Sequence, residues 1–343
     1  MKYLVTSALP YANAPLHLGH VLEIVQTDAW VRHKNLTEDE ALYFCASDTH
    51  GTPIMLKAKD LGIEPEELIN DLHTNHENTF KKFNINLTNF HSTHSEENKM
   101  LSTDIFKSAQ DKGYIYKKNI SQLYDEKENI FLADRFVKGS CPVCGADDQY
   151  GDACEKCGST YDALDLIKPV SVLSNTIPII KESEHYFFKL NKLSEFLKKN
   201  IKKISKQHPI KAKLNEWLNE DLRDWDVSRD APYFGFNIPG EENKYIYVWM
   251  DAPVGYLASI KNWAELSNIH FDDLINNKDT KLIHFIGKDI VYFHLLFWPA
   301  MLKTAEVESL EEVFVHGFLT IEGMKMSKSK GNFILADKAL DYA

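Results

Sequence analysis

The order of the first elements constrains this fold more than any other feature. Tyr3-Leu4-Val5-Thr6 is a short apolar, β-branched run, as expected of a buried strand. Leu9 to Leu16 holds Pro10, Asn13 and Pro15 and reads as a loop. From His17 to Lys34, Leu18, Val21, Leu22, Val25 and Ala29 recur at helical spacing and predict one apolar helix face. Ala41 to Ala46 reads as a second strand, followed by Ser47-Asp48-Thr49-His50-Gly51. A second helix then starts at Thr52-Pro53, with Thr52 as its N-cap. Strand, helix, strand, helix with short connections predicts an α/β fold whose parallel sheet carries helices on its faces.

From about Tyr114 that pattern breaks, and it returns after Ser228-Arg229-Asp230. Tyr245 to Trp249, Leu282 to Ile286 and Val313 to Val315 are then strand-like, and Asp289 to Leu302 is helix-like. The expected organisation is a catalytic α/β domain in two halves, residues 1–113 and 229–343, split by an inserted domain over 114–228. A net charge of -11 excludes a chain that coats nucleic acid unselectively. Any RNA contact needs a local basic patch. Lys198 to Lys213 is one candidate, and a solvated helix face explains it equally well. The longest apolar run, Tyr292 to Leu302, is too short for a bilayer and is interrupted by His294 and Pro299. No membrane association is expected, and a cytoplasmic location is.

Four of the five cysteines form two Cys-x-x-Cys pairs, Cys141/Cys144 and Cys154/Cys157, with nine residues between them. Each pair can grip a metal from a tight turn, so four thiolates close a tetrahedron over about residues 138–160. Such a site has no open position and is structural. Zn²⁺ is the expected ion, although iron also accepts four thiolates. Cys45 stands alone and reads as a packed thiol.

Neither Gly-x-x-x-x-Gly-Lys-[Ser/Thr] nor Gly-x-Gly-x-x-Gly occurs. Instead Pro15-Leu16-His17-Leu18-Gly19-His20 follows the first strand, where a helix start offers N–H groups and a positive dipole end to phosphate. Two imidazoles there can donate to phosphate oxygens, and Gly19 leaves space for a flat base. Near the other end, Gly323-Met324-Lys325-Met326-Ser327-Lys328-Ser329-Lys330-Gly331-Asn332 sets three lysines between glycines. Such a cationic loop can close over a polyphosphate. Alone, each cluster is explained by a solvated surface; together, at opposite ends of a split α/β domain, they point to one nucleotide site.

Pro10 to His20 together with Lys325-Met326-Ser327-Lys328-Ser329 resembles the two signature motifs of the class I aminoacyl-tRNA synthetases. Cys45 to Pro53, Trp225 to Asp230, Tyr247 to Pro253 and His284 to Asp289 narrow the resemblance to the methionyl-tRNA synthetase family, which also has forms with a four-cysteine knuckle. The resemblance implies a Rossmann-like sheet split by a connective domain. It also implies ATP-dependent activation of L-methionine and transfer to the 3′ adenosine of tRNA(Met), with Mg²⁺ accompanying ATP.

By resemblance, His17 and His20 hold the ATP phosphates, while Lys325 and Lys328 stabilise departing pyrophosphate. Pro10, Asn13, Gly19, Gly287 and Asp289 complete the ATP site. Asp48 pairs with the substrate ammonium, and Leu9, Tyr11, Trp249, Pro253, Tyr256, Ile290 and His294 form the methionine walls. Core packing is the plainer explanation for Trp249, Tyr256 and Ile290, and helix capping for Asp48. Aromatic walls suit a thioether and set methionine apart from leucine, isoleucine, valine or cysteine. A silent RNA-binding relative would not need the intact His17, His20, Lys325 and Lys328. Two departures stand out: Ser47 replaces a frequent second acid, and the chain stops soon after the lysine loop. The expectation is a catalytic core that forms the adenylate but charges tRNA poorly.

Overall fold

Strand β1 (Lys2–Ser7) opens the chain, and the main sheet is laid down on both sides of it. The computed structural model describes residues 1–37, 39–133, 136–151, 154–159, 161–307, 310–321, 323–326 and 333–341. Helix α1 (Leu18–Asn35) returns the chain to β2 (Glu40–Ser47), which pairs parallel to β1. Helices α2 (Thr52–Leu61) and α3 (Pro65–Lys82) then lead to β3 (Asn89–Ser92) at the sheet edge. Leu4, Val5, Tyr43 and Phe44 are fully buried, so covering both faces accounts for the unbroken apolar runs.

Two local expectations are corrected. The buried side of α1 carries Val21, Glu23, Ile24, Thr27, Asp28 and Val31, whereas Val25 is 43% exposed and Ala29 is also exposed. Polar groups take the inner side because they have partners there. The Thr27 hydroxyl donates to the Glu23 carbonyl at 2.8 Å, and Asp28 binds Arg32 at 2.6 Å. Helix α2 is capped by Gly51, one residue before Thr52, at φ 113° and without a side-chain cap bond. That backbone angle suits glycine.

After α4 (Glu96–Asp111) the chain leaves the main sheet. Long strand β4 (Ile115–Asp125) is followed by β5 (Ile130–Phe131), β6 (Val137–Ser140), β7 (Gln149–Tyr150), β8 (Ile167–Ser171) and β9 (Ile179–Phe188). Strands β4 and β9 pair antiparallel along ten residue pairs, and β6, β7 and β8 form a separate three-stranded sheet around the cysteine segment. Helices α5 (Ser194–Ile204) and α6 (His208–Asn219) precede β10 (Trp225–Asp226), β11 (Ser228–Asp230) and β12 (Lys244–Ile246). Strand β12 ends before Trp249, contrary to the pattern reading. Val248–Asp251 forms a helical turn, α7, held by Met250 N–H to the Tyr247 carbonyl at 2.7 Å. Helices α8 (Val254–Leu266) and α9 (Phe271–Ile275) follow.

The chain then rejoins the main sheet on the other side of β1. Strand β13 (Thr280–Gly287) pairs parallel with β1, and β14 (Leu310–His316) pairs parallel with β13. Strand order is β14-β13-β1-β2-β3, so direction of winding reverses at β1. Such a switch point opens a crevice at the carboxyl ends of the strands. The expected helix after Asp289 comes in pieces: a 3₁₀ turn at Lys288–Ile290, a π-helical turn at Phe293–Phe297, and α10 (Trp298–Thr304). Pro299 follows directly on the π-helical turn inside one unbroken helical run, where a proline removes a helical hydrogen bond and the wider turn before it accommodates the ring.

Candidate functional site

Two cavities meet at that crevice. One, of about 480 Å³, is lined by all eight residues expected to hold methionine: Leu9, Tyr11, Asp48, Trp249, Pro253, Tyr256, Ile290 and His294. The other, of about 330 Å³, is lined by Pro10, His17, Gly19, His20, Gly287 and Asp289 among others. Ala8, Leu9, Tyr11 and Ile290 belong to both walls, so the segment leaving β1 is the partition between them. Asn13 is not in either wall; its carbonyl accepts from Lys57 Nζ at 2.8 Å.

In the larger cavity, Trp249 stacks on Phe293 with centroids 4.2 Å apart. Tyr256 Oη lies 2.8 Å from His294 Nε2, and His294 Nδ1 lies 3.1 Å from the Ile290 carbonyl. A carbonyl only accepts, so the ring hydrogen is on Nδ1 and Nε2 accepts from the Tyr256 hydroxyl. Burial pushes His294 down to about 4, which keeps it neutral. Asp48 is tied to the loop by its own backbone, N–H to Pro10 O at 3.0 Å and O from Ala12 N–H at 2.7 Å. Its carboxyl does not cap α2, and Oδ1 has no hydrogen-bond partner among the described residues. Burial, followed by the nearby Asp251 carboxyl, raises Asp48 well above the usual carboxylate range. A buried carboxylate without a cation calls for one. Ser47 is outside this wall and bonds His73 Nδ1 at 3.0 Å.

The smaller cavity is built on the start of α1. His17 is its N-cap: Nδ1 accepts from Gly19 N–H at 3.0 Å, while His20 Nδ1 accepts from His17 N–H at 3.2 Å. Each ring uses Nδ1 as acceptor, so each carries its hydrogen on Nε2 when neutral. The rings stack at 3.7 Å, and burial with His17 alongside pushes His20 down to about 3. His20 is therefore a neutral imidazole beside a helix N-terminus. A Cβ on Gly19 would lie 2.8 Å from His17 Cε1, so any side chain there displaces the cap.

Lys328 and the side chain of Lys325 lie outside the described residues. The segments flanking them do not. Phe333 meets His17 edge-on at 5.0 Å, Leu18 N–H donates to the Ile334 carbonyl at 3.1 Å, and Met326 lines the smaller cavity. The chain thus reaches the imidazole pair from both sides of the lysine segment.

Several wall residues escaped sequence reasoning. Glu23 accepts from Ala8 N–H at 2.6 Å and pairs with His316 Nε2 at 3.0 Å at the floor of the smaller cavity. No sequence signal marks it, because the apolar face read for α1 left position 23 outside. Arg229 places its guanidinium 3.6 Å from the Tyr247 ring centroid in the larger wall. His50 bridges Asp251 and His94 behind the same wall, with Nε2 3.0 Å from His94 Nδ1.

The four cysteine Sγ atoms all lie within 4.8 Å of one another. The two turns are built alike. Cys144 N–H and Cys157 N–H point at Cys141 and Cys154 Sγ at 3.5 and 3.4 Å, and Gly145 and Gly158 follow at φ 70° and 74°. Sγ separations of 3.6 and 3.9 Å exclude disulfides and suit a shared ion. This group can hold a metal ion. Cys45 is buried, and burial pushes its thiol up to about 12, as a packed, inert residue requires. Among the described residues no helix is long and apolar enough to cross a membrane.

Similar arrangements occur in solved proteins. Methionyl-tRNA synthetase of Mycobacterium tuberculosis bound by methionyl-adenylate superposes with TM-score 0.75 at 25% identity, over 99% of this chain and 61% of that one. A second structure of that enzyme with methionyl-adenylate gives 0.76 and 26%, over 99% and 62%. This chain thus spans a little over three-fifths of the length of those relatives. The family model described as tRNA synthetases class I (M) matches residues 3–343. With a parallel sheet reversing at β1, an imidazole pair capping the next helix and that match from end to end, the chain belongs to the class I tRNA synthetases of the (M) family.

Proposed function

We propose that this chain activates L-methionine with ATP and transfers the methionyl group to the 3′ adenosine of tRNA(Met). The observation that carries the reading is the pairing of two cavities across one backbone partition. One is aromatic and contains a buried carboxylate with an oxygen unpaired among the described residues; the other is rimmed by a stacked imidazole pair at a helix start. The Mycobacterium tuberculosis enzyme was solved with a ligand that joins methionine to AMP, and this supports the reading.

In this reading Asp48 takes the ammonium, and Leu9, Tyr11, Trp249, Pro253, Tyr256, Ile290 and His294 enclose the thioether. The carboxylate is left at the partition, facing the α-phosphate. A carboxylate oxygen attacks that phosphorus as the bond to the bridging oxygen breaks, and pyrophosphate leaves. The Nε2–H groups of His17 and His20 donate to phosphate oxygens as charge develops, and holding both reactants in place supplies much of the acceleration. Gly287 and Asp289 border the adenosine, beside Pro10 and Gly19, with Asn13 behind the loop. Lys325 and Lys328 follow the departing pyrophosphate. Mg²⁺ enters as part of the ATP substrate.

Cys141, Cys144, Cys154 and Cys157 hold one Zn²⁺, which braces the segment between β6 and β8 and takes no part in the chemistry. Residues 1–113 and 229–343 form the catalytic domain and 114–228 the inserted one, and the chain works in the cytoplasm, where thiolates stay reduced. The test is ATP–pyrophosphate exchange across a panel of amino acids. Exchange dependent on methionine and abolished by Lys328→Ala is expected; exchange with another amino acid only, or with none, refutes the reading.

A further inference from the structure

The loop that carries the imidazole pair is held from three directions. Its Asn13 carbonyl accepts from Lys57 on α2, its Ala14 carbonyl lies 2.9 Å from His76 Nε2 on α3, and its Leu16 carbonyl accepts from Ala336 N–H at 2.9 Å, beyond the lysine segment. The middle hold differs from the other two. His76 is fully buried and lies outside both cavity walls. A carbonyl only accepts, so the ring hydrogen is on Nε2 and Nδ1 is an acceptor. That Nδ1 is buried with no hydrogen-bond partner among the described residues. A bare buried acceptor costs stability, so packing alone does not call for a histidine here. Burial lowers its pKa, with the bond to Ala14 opposing, which keeps the ring uncharged behind His20.

Pro15 shows why that bond matters. The Ala14–Pro15 peptide has no N–H, so the Ala14 carbonyl is its one polar handle. Phe80, one helical turn beyond His76, belongs to the apolar cluster that contains Leu16, Val21 and Ala336. Residues four apart share a helix face, so α3 meets the Ala14–Leu16 strip with a hydrogen bond at one end and an apolar contact at the other. His17 follows at once, and its ring is tied to the same backbone through the Nδ1 cap on Gly19 N–H. We propose that His76 is a positioning residue for the attack on the α-phosphate: with Phe80 it fixes the height of the Ala14–Leu16 strip, and so the place at which His17 and His20 meet the phosphates. The inference rests on the adenylate-forming reading above and adds to it a residue that never touches substrate.

Glutamine and methionine side chains are alike in length, and only glutamine can donate to the Ala14 carbonyl. In methionine-dependent ATP–pyrophosphate exchange, His76→Met should lower kcat at least tenfold. The KM for methionine should stay within twofold, because the aromatic cavity lies across the partition. His76→Gln should recover to within threefold of the parent. Added to His20→Asn, His76→Met should cost less than a further threefold, since two changes acting through one group are not additive. Amide hydrogen exchange over residues 16–21 should be at least fivefold faster in His76→Met than in the parent, and parental in His76→Gln. His76→Phe serves in the same assays if the methionine variant does not melt cooperatively. A kcat within threefold of the parent in His76→Met, an equal loss in His76→Gln, or a full tenfold added to His20→Asn overturns the assignment. A parent without pyrophosphate exchange refutes the methionine reading instead, and the amide rates then decide whether His76 holds the strip.

Discussion

Asp48 illustrates how a single side chain couples the site to pH. Its carboxyl is raised by burial and by Asp251, so lowering the pH neutralises it earlier than an exposed acid. An ammonium binds only the ionised form. The KM for methionine in exchange should therefore rise as pH falls, while Asp48→Asn should raise it by roughly 30-fold or more where Asp48 is ionised, the 2–5 kcal/mol of a broken buried charge pair, and should remove the pH dependence. A flat KM across pH 5 to 8 in the parent would argue against this role. His20 should leave no such mark near neutrality, because burial holds it at about 3. Gly19→Ala should cut exchange at least tenfold, about 1.4 kcal/mol, because its Cβ would meet the His17 ring at 2.8 Å. All eight residues that the family resemblance assigned to methionine line the larger cavity, so their proximity was legible in the sequence. Glu23 and Arg229 were not, because their places depend on helix phase and on a strand pairing across a long separation.

At the scale of elements, the cysteine knuckle and the β9–β10–β11 junction carry separate predictions. Removing the proposed Zn²⁺ should open residues 141–158 to protease while exchange persists, since the knuckle's sheet is distinct from the main parallel sheet. Limited proteolysis with and without chelator checks this, and Cys144→Ser should behave like the chelated protein. At the junction, His185 gives both ring nitrogens to carboxylates. Burial opposes its charge, but the bonds to Asp226 and Asp230 outweigh it and raise its pKa above 6.5. That stabilisation is complete below the unfolded value of about 6.5 and is lost as pH rises through the raised folded value. Thermal stability should decline over that window in the parent and lose that dependence in His185→Gln. Elements themselves were mostly readable, except where a polar group had a hidden partner. Helix α1 rotated to bury Glu23 and Asp28, and the strand expected through Trp249 gave way to a helical turn.

Across the whole molecule, β1 is central in the sheet, yet one neighbour, β13, starts at Thr280. Pairing Lys2 with Thr280 closes a very long loop, so the sheet forms late and cooperatively. A fragment of residues 1–113 has no partner for the open side of β1, where Leu4 and Val5 are otherwise fully buried. It should fail to give a cooperative thermal transition, and hydrogen exchange should show β1 amides unprotected. A protected, cooperatively melting fragment would contradict this. The reversal of winding at β1 was foreseeable only as a parallel sheet; the strand order depends on contacts between residues some 280 positions apart, which no local pattern encodes.

The strip Ala8, Leu9 and Tyr11 is thin enough to belong to two chambers at once. Small compounds that each occupy one chamber weakly can therefore be tethered over it by a short spacer. The second then binds at an effective concentration near millimolar, and inhibitory strength multiplies without any new contact. The drug-design opportunity lies in the bridge, whose length this strip dictates.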